Sequence, residues 1–514
     1  MTDNPKISPL FFVCLFSTLF LAIFYNTVTN MAGVYIASDL GGSSDISVYP
    51  MVFFGLGNAL SIPLANPLAD RIGPIKLLIQ GLLIYTLFSI FCAIAPTFLI
   101  FNFFRLGLGL ASGLFYILSR RLLLTFAPEE KQEAYSFVMI IMYVIVPVLG
   151  ASFGAWVAYE SHWLWIFYIN EPIALFLAAY FWYCHRKKDP SSSSASVPFD
   201  KIGYLFFFIG LSCLITAATL SQELDWYRSS FFLCLIAIGF PSLLYFILRT
   251  LIHPHPLLAL PLLKKPLLSY ALFNLAILFS AYFGMIILIA LWLNIYVNYT
   301  PLWIAVLLCN MILGGSLAYL VTTVLLRRFD PRFTLALAIL ACASSCYYST
   351  YFDINVDFFH LAVARFLAGA GLGLFLLPIL KLALNSDPDQ STPIFTLFQV
   401  VRSCSSSLGA ALYVILWQRR QIFFHQRLGE DLTVYSSLTR DYFHKANQTF
   451  HLTRDQSLGQ LNVFLDRQST SLALNDALGC MGYILIGLLA LLVLSFLIIP
   501  RSKTQDVSAN PPTS

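Results

Sequence analysis

The segment FNFFRLGLGLASGLFYILSRRLLL, residues 101–124, combines features that a water-soluble helix rarely tolerates. It is apolar and long enough to cross a bilayer, yet it contains Arg105 and a series of glycines, Gly107, Gly109 and Gly113. A charged side chain inside a bilayer is costly, and glycine is a poor helix former in water. In a membrane bundle, small residues let helices pack closely, and a polar face points at protein or at a watery cavity. The segment therefore predicts a membrane helix inside a bundle.

The whole chain shares this apolar character. Of its 514 residues, 59% are hydrophobic and 11% are charged, and the mean hydropathy is +0.78, whereas soluble domains carry about 25% charged residues. The first apolar run is too long for a cleavable signal and no small-residue cleavage site closes it, so we interpret it as a span. The composition predicts an all-α polytopic membrane protein. Fourteen candidate spans lie at roughly 8–30, 47–66, 76–95, 98–124, 134–158, 163–184, 202–220, 229–250, 267–293, 302–326, 333–351, 358–382, 391–417 and 475–499.

Basic residues are distributed unevenly between the connections. If the N-terminus is cytoplasmic, the short outside connections hold Arg228 alone, and this asymmetry predicts that both termini are cytoplasmic. A long outside loop at 418–473 is also basic, but long loops are translocated largely regardless of charge. The net charge of +5 is therefore explained by topology and does not indicate nucleic-acid binding. The basic residues of the short cytoplasmic connections are Arg71, Lys76, Lys131, Arg186, Lys187, Lys188, Lys201, Lys264, Lys265, Arg327, Arg328, Arg332, Arg501 and Lys503.

Two motifs occur twice in the chain. RLGLGLASGLFYIL from Arg105 is repeated as RFLAGAGLGLFLLPIL from Arg365, each with glycine four and eight positions after the arginine. LADRIGPIKLL near 70 is likewise repeated as LLRRFDPRFTL near 330. Two motifs in the same order, about 260 residues apart, indicate an internal duplication. Duplicated six-span halves are typical of secondary transporters.

The duplication divides the chain into four parts. The N-terminal six-helix half is expected at 1–185, and 186–265 holds cytoplasmic linkers, including PSSSSASVP, with two extra membrane helices. The C-terminal six-helix half is expected at 266–500, with the long extracytoplasmic loop 418–473 inside it. A cytoplasmic tail is expected at 501–514.

These features resemble the major facilitator superfamily over nearly the whole chain, and the two extra central helices make it similar to the fourteen-spanner branch of drug:proton antiporters. HWLWIFYINEPI (162–173) resembles the W-x-W-I-F-x-I-N-x-P signature of that branch. The resemblance implies the major facilitator fold, two six-helix repeats plus two extra central helices, in a multidrug efflux pump of the bacterial inner membrane. Further similar stretches are NALSIPL (58–64), QELDWY (222–227), FQVVRSCSSSLGAALYVILW (398–417) and LNDALG (474–479).

The resemblance also implies roles for individual residues. One motif is thought to lock the halves through charge and helix-dipole contacts, one is linked to proton transfer, and one kinks span five in antiporters. Asn66 stands where the locking motif usually opens with glycine. The residues that match are Asp70, Arg71 and Gly73 in the locking motif, Arg105 and Gly109 in span four, and Pro147, Gly150 and Gly154 in span five.

Span one departs from the family pattern where the family carries an aspartate. YNTVTN (25–30) places Tyr25 there, and a phenol loses its proton far above neutral pH. Glu171 in span six is the carboxylate that could replace it, because burial favours the protonated form of a carboxyl. The alternative is that Glu171 is a solvated residue near the outer surface.

Polar residues of spans one and four and of the span at 391–417 are candidates to line a transport cavity, and Gln399, Arg402 and Ser406 share one face of that last span. The alternative is that they hold the bundle together by interhelical hydrogen bonds. Arginines outnumber carboxylates among the candidates, and a positive cavity attracts anions. Arg120 and Arg121 are expected to extend to the cytoplasmic surface. The cavity candidates are Tyr25, Asn26, Asn30, Tyr116, Gln399, Arg402 and Ser406.

The leading functional hypothesis is secondary active export of small amphipathic compounds, driven by the proton gradient through alternating access. A second hypothesis is export of anionic metabolites or siderophore-like molecules, which the missing aspartate and the arginine-rich interior favour. A third is a scaffold or sensor that does not transport. The outside loop 418–473 is expected either to bind a periplasmic adaptor protein or to be a plain solvated loop.

Other chemistry finds little support in the sequence. The ten cysteines are scattered through apolar runs without metal-ligand spacing, so no metal and no cofactor is predicted. No phosphate-binding GxxxxGK[ST] and no HExxH or GxSxG occurs, so neither ATP-driven transport nor an enzyme is predicted.

Overall fold

The computed structural model describes residues 8–43, 46–187, 199–254, 256–430, 432–433 and 435–498. The predicted tail at 501–514 and most of the predicted linker after residue 187 lie outside these residues. The helices are α1 (Pro9–Thr27), α2 (Thr29–Asp39), α3 (Tyr49–Ser61), α4 (Ala65–Ile72), α5 (Pro74–Ala93), α6 (Phe98–Phe126), α7 (Glu129–Glu160), α8 (Leu164–Tyr168), α9 (Asn170–Lys187), α10 (Lys201–Leu220), α11 (Ser230–Ile252), α12 (Pro266–Ile295), α13 (Pro301–Arg328), α14 (Pro331–Ser349), α15 (Phe358–Asn385), α16 (Ser391–Glu430), α17 (Ser437–Phe450) and α18 (Arg454–Ile498).

The all-α polytopic fold is confirmed. Within the described ranges, thirteen helices are long and apolar enough to cross a membrane. The span predicted at 333–351 is present as α14, which packs against α15 and α18 but is less apolar than the others. Its buried face includes Thr334, Ser345 and Ser349, which lower its hydropathy.

Local sequence explains where many helices begin. Pro74 and Pro331 lie in first turns, where the missing N–H of proline needs no partner. The Asp330 side chain caps α14 by accepting from the N–H of Arg332 at 2.9 Å. Gly73 joins α4 to α5 with a φ of 96°, a left-handed conformation that favours glycine. Helix starts therefore follow ordinary rules even in this apolar chain.

The duplication is visible in matching contacts. Nη2 of Arg105 donates to the backbone oxygen of Tyr25 at 2.8 Å, and Nη1 of Arg365 donates to that of Met285 at 2.8 Å. Each pair is separated by 80 residues, and both partners are displaced by 260 residues between the repeats. The two six-helix repeats therefore share their internal packing as well as their motifs.

The repeats meet along two seams, α3 against α16 and α7 against α13. In the first seam, the Ser403 hydroxyl donates to the backbone oxygen of Gly55 at 2.9 Å. In the second, the Tyr319 hydroxyl donates to the backbone oxygen of Phe137 at 3.4 Å. Any space between the repeats is therefore bounded on one side by the α3–α16 contact and on the other by the α7–α13 contact.

The two extra helices, α10 and α11, pack against each other, and α10 contacts both α3 and α16. At one end of this hairpin, Nε of Arg249 donates to both carboxylate oxygens of Asp200 at 3.0 Å. Asp200 also caps α10 by accepting from the N–H of Gly203 at 2.9 Å. The hairpin therefore lies beside the α3–α16 seam and contacts both repeats.

The segment predicted as the long loop 418–473 is mostly helical where it is described. Helix α16 continues to Glu430, α17 follows, and α18 begins at Arg454, well before the start predicted at 475. The continuations are tied together, because Nε1 of Trp417 donates to the backbone oxygen of Thr470 at 3.1 Å and Arg420 pairs with Asp476. A hydropathy search does not detect these continuations of α16 and α18 because their residues are polar.

Candidate transport cavity

A cavity of about 410 Å³ lies between the two repeats. Its mouth carries the exposed residues Glu133, Arg327 and Lys381, whereas Tyr143 and Gln399 are buried at its inner end. The volume falls in the range of small-molecule sites. The apolar part of the wall comprises Phe137, Met139, Ile140, Leu376, Leu377, Leu380, Leu384, Phe395 and Phe398.

Behind the inner end, the Arg402 guanidinium is surrounded by aromatic rings from both repeats. Its carbon lies 4.7 Å from the centroid of Tyr116, 4.8 Å from that of Tyr143 and 5.5 Å from that of Phe279. Nε of Arg402 donates to Oε1 of Gln399 at 2.6 Å, and Nε2 of Gln399 donates to the Tyr143 hydroxyl at 2.8 Å. Cation–π contacts of this kind stabilise a desolvated cation. The structure therefore brings together three of the residues predicted to line the cavity, which are Tyr116, Gln399 and Arg402.

Tyr143 and Phe279 were not predicted from the sequence. Tyr143 could have been noticed because it lies one helical turn before Pro147 in the span-five motif helix. Phe279 gives no such signal, because it is one of several phenylalanines in an apolar helix that carries no recognised motif.

Arg120 does not extend to the surface as expected. Its guanidinium carbon lies 4.0 Å from the centroid of Phe395, and its side chain forms part of the cavity wall. Arg121, the next residue, instead pairs with Asp70. The helix therefore directs one arginine into the cavity and the next towards α4.

Arg105 is fully buried in the N-terminal repeat rather than on the cavity wall. Besides its bond to Tyr25, it donates from Nε to the backbone oxygen of Pro50 at 3.2 Å and from Nη2 to the Thr29 hydroxyl at 2.9 Å. Its guanidinium carbon lies 4.5 Å from the Phe54 centroid. These contacts join α6 to α1, α2 and α3.

The span-one candidates are also buried behind the wall. The Tyr25 hydroxyl donates to the backbone oxygen of Ile166 at 2.7 Å, so its side chain points into the repeat. Both polar side-chain atoms of Asn30 and Oδ1 of Asn26 are buried without a hydrogen-bond partner in the described part of the chain. Ser406 donates to the backbone oxygen of Ser403 at 2.9 Å, within its own helix. None of these four candidates contributes to the cavity wall as described.

Residues of span five, which is α7, pack against the point where the first span is divided into α1 and α2. Val28 separates α1 from α2, and a methyl group at Gly154 would overlap its backbone oxygen. A methyl group at Gly150 would crowd the backbone oxygen of Phe24. Pro147 is buried in the same helix. These residues therefore allow close packing inside the N-terminal repeat.

The residues of the expected locking motif lie at the cavity-mouth end. Oδ1 of Asp70 is 2.6 Å from Nη2 of Arg121, and both side chains are about one-third exposed. The guanidinium carbon of Arg71 lies 5.9 Å from the Phe199 centroid, and Gly73 supplies the turn. The Asp70 ion pair joins α4 to α6 within one repeat.

A separate contact crosses between the repeats at this end. Nδ2 of Asn66 donates to the Thr396 hydroxyl at 3.1 Å, which joins α4 to α16. Asn66 replaces the usual glycine of the motif. This departure therefore adds a polar contact between the halves.

Glu171 lies in the first turn of α9, close to Tyr25, and not on the cavity wall. The residue is half-buried, and its Oε1 atom is buried without a hydrogen-bond partner among the described residues. Within the same residues, no group of three His, Cys, Asp or Glu side chains could hold a metal ion.

Comparisons with known proteins agree with this architecture. The chain is 26% identical to the multidrug export protein EmrB of Haemophilus influenzae, over 91% of this chain and 92% of the relative, and 27% identical to the fatty acid resistance protein FarB of Neisseria gonorrhoeae, over 89% and 90%. A bacterial homologue of the human lysosomal transporter Spinster, solved in an inward-facing and unoccupied conformation, superposes with a TM-score of 0.61 at 14% identity, covering 96% of this chain and 99% of that one. The Major Facilitator Superfamily profile matches residues 14–412, so the chain belongs to that superfamily.

Proposed function

We propose that the protein is a secondary active exporter that moves small amphipathic compounds out of the cell in exchange for protons. The observation that carries the proposal is the cavity between the two repeats, which combines a largely apolar wall with a few charged residues. Rocking of one repeat against the other around a central site is the general mechanism of duplicated transporters. The names of the relatives, multidrug export and fatty acid resistance, support efflux of amphipathic compounds.

The proposed location is the cytoplasmic membrane of a bacterium, with both termini in the cytoplasm. Under that orientation the cavity mouth, which carries Arg327 and Lys381, faces the cytoplasm, as an exporter waiting for substrate requires. The helical extension formed by α16, α17 and α18 lies at the opposite end. In a bacterium with two membranes, we propose that this extension contacts an adaptor protein.

Glu171 is the proposed proton carrier, because span one offers Tyr25 in place of a carboxylate. Its unpartnered buried oxygen supports this role. We expect Glu171→Gln to abolish gradient-driven flux while passive exchange of substrate continues, because an amide cannot carry the proton. Glu160→Gln, an exposed carboxylate at the end of α7, is the matched control. Unchanged driven flux in Glu171→Gln would refute the assignment.

The transport proposal is tested in proteoliposomes that contain a pH-sensitive dye. Protons released from the lumen when lipophilic cations or organic anions are added would establish antiport. If the dye does not respond, direct flux of the same compounds is measured. A protein that moves none of them contradicts the proposal and favours a scaffold or sensor.

A further inference from the structure

The charged groups of the cavity are mainly basic. Arg120, Arg327 and Lys381 lie on the wall, and Glu133 at the exposed mouth is the acidic wall residue. Arg402 lies directly behind Tyr143 and Gln399 at the inner end. A cavity with this balance of charge attracts anions and repels cations.

The two deeper cations, Arg120 and Arg402, take part in none of the ion pairs found among the described residues. Their neighbours are aromatic rings and the Gln399 amide, which are neutral. Arg402 is only 4% exposed. A buried guanidinium with neutral partners gains strongly from an anion that can accept charge-assisted hydrogen bonds.

The contacts around Arg402 also fix its orientation. Three rings from α6, α7 and α12 surround the guanidinium, while Gln399 holds Nε. Arg402 is therefore pre-organised, so little side-chain entropy is lost when an anion binds. Because the rings come from both repeats, the Arg402 guanidinium contacts both halves of the transporter.

We propose that Arg402 and Arg120 bind the carboxylate or sulfonate of an amphipathic anion, whose apolar part lies along Met139, Ile140 and Leu380. This inference rests on the proposed export function and defines the substrate class of the same cavity. The membrane potential of a cell, negative inside, favours outward movement of such an anion.

The test compares three probes that share one ring system and differ in charge: 2-naphthoate, 2-naphthylmethanol and 2-naphthylmethylammonium. Binding is measured by equilibrium dialysis with the full-length protein in nanodiscs of zwitterionic lipid. We expect the wild type to bind the carboxylate at least tenfold more tightly than the alcohol or the ammonium. Equal affinities for the three probes would overturn the inference.

Substitutions test which arginine is responsible for the tighter binding of the carboxylate. Arg402→Gln is expected to weaken carboxylate binding at least tenfold and leave alcohol binding within twofold, whereas Arg402→Lys retains most of the preference. Arg419→Gln is the matched control, because it removes one positive charge from the same helix at a position beside Trp226 that is not on the cavity wall. If Arg402→Gln does not fold, Arg120→Gln is expected to lower carboxylate affinity at least threefold. If the variants still bind the carboxylate more tightly than the alcohol and the ammonium, to the same extent as the wild type, the assignment of Arg402 and Arg120 is overturned.

The outcomes separate this inference from the proposed function. Flux of all three probes into proteoliposomes with no charge preference refutes the anion site and leaves multidrug-type export standing. Absence of flux for every probe, despite selective binding of the carboxylate, contradicts export while supporting the anion site.

Discussion

Replacing Gly109 with alanine tests the close packing of α6 against α3. A methyl group at position 109 would overlap the backbone oxygen of Phe54, and it would lie 2.9 Å from the carbonyl carbon of Phe54 and 3.1 Å from Cα of Gly57. All three are backbone atoms, so no flexible side chain can move aside. The two helices must therefore separate.

The size of the effect follows from ordinary contact distances. Carbon atoms pack best at about 3.5–4.0 Å, but the added methyl group would lie 2.1 Å from the Phe54 oxygen. The helices must therefore move apart by roughly 1 Å or more at this point. A gap of about 1 Å removes about half of the attraction between facing atoms. Overpacking of this kind costs about 1–3 kcal/mol of folding free energy.

The measurement is equilibrium unfolding in mixed micelles, titrated with a denaturing detergent and followed by tryptophan fluorescence. We expect Gly109→Ala, and Gly369→Ala in the other repeat, to lower the free energy of unfolding by about 1–3 kcal/mol. Gly487→Ala is the control, because a methyl group there meets no atom within 4 Å. If Gly109→Ala proves as stable as Gly487→Ala, the reasoning from close backbone contact is wrong.

Two further predictions concern charged groups. Arg105→Lys should destabilise the protein more than Arg365→Lys in the same unfolding assay, because Arg105 donates to three acceptors and Arg365 to one among the described residues; equal losses would contradict this. Burial alone would raise the pKa of Asp200, but hydrogen bonds from Arg249 and a backbone N–H hold it below its usual range. The contribution of Asp200 to the free energy of unfolding should therefore be present above about pH 4 and be lost as the pH falls through the lowered pKa. Asp200→Asn should flatten this part of the plot of unfolding free energy against pH. An unchanged plot would refute the assignment.

The duplicated fold could be predicted because its signals are local. Arg105 and Arg365 carry the same glycine spacing, and each makes the same kind of backbone contact in its own repeat. The sequence also indicates which residues share a helix face: Gln399 and Arg402 are three positions apart, and in the structure they are hydrogen bonded to each other along α16.

The composition of the cavity could not be predicted in full, because a helix face does not reveal which helix it meets. Tyr143 and Phe279 reach Arg402 from different repeats, whereas Tyr25 turns towards Ile166 and away from the cavity. The polar continuations of α16 and α18 were missed for another reason, since hydropathy detects helices that prefer lipid and is silent about helices that prefer water.

The unbroken length of α16 and α18 has a consequence for inhibition. They contain 40 and 45 residues, about 60 and 68 Å at the usual rise, against a bilayer core of about 30 Å. Because each helix is continuous, any tilt of the second repeat displaces the distal end of the helix by a larger amount than the centre of the helix. A binder that joins the extended ends of α16 and α18 to the first repeat, outside the bilayer, would stall the transport cycle without entering the membrane and without competing with substrate.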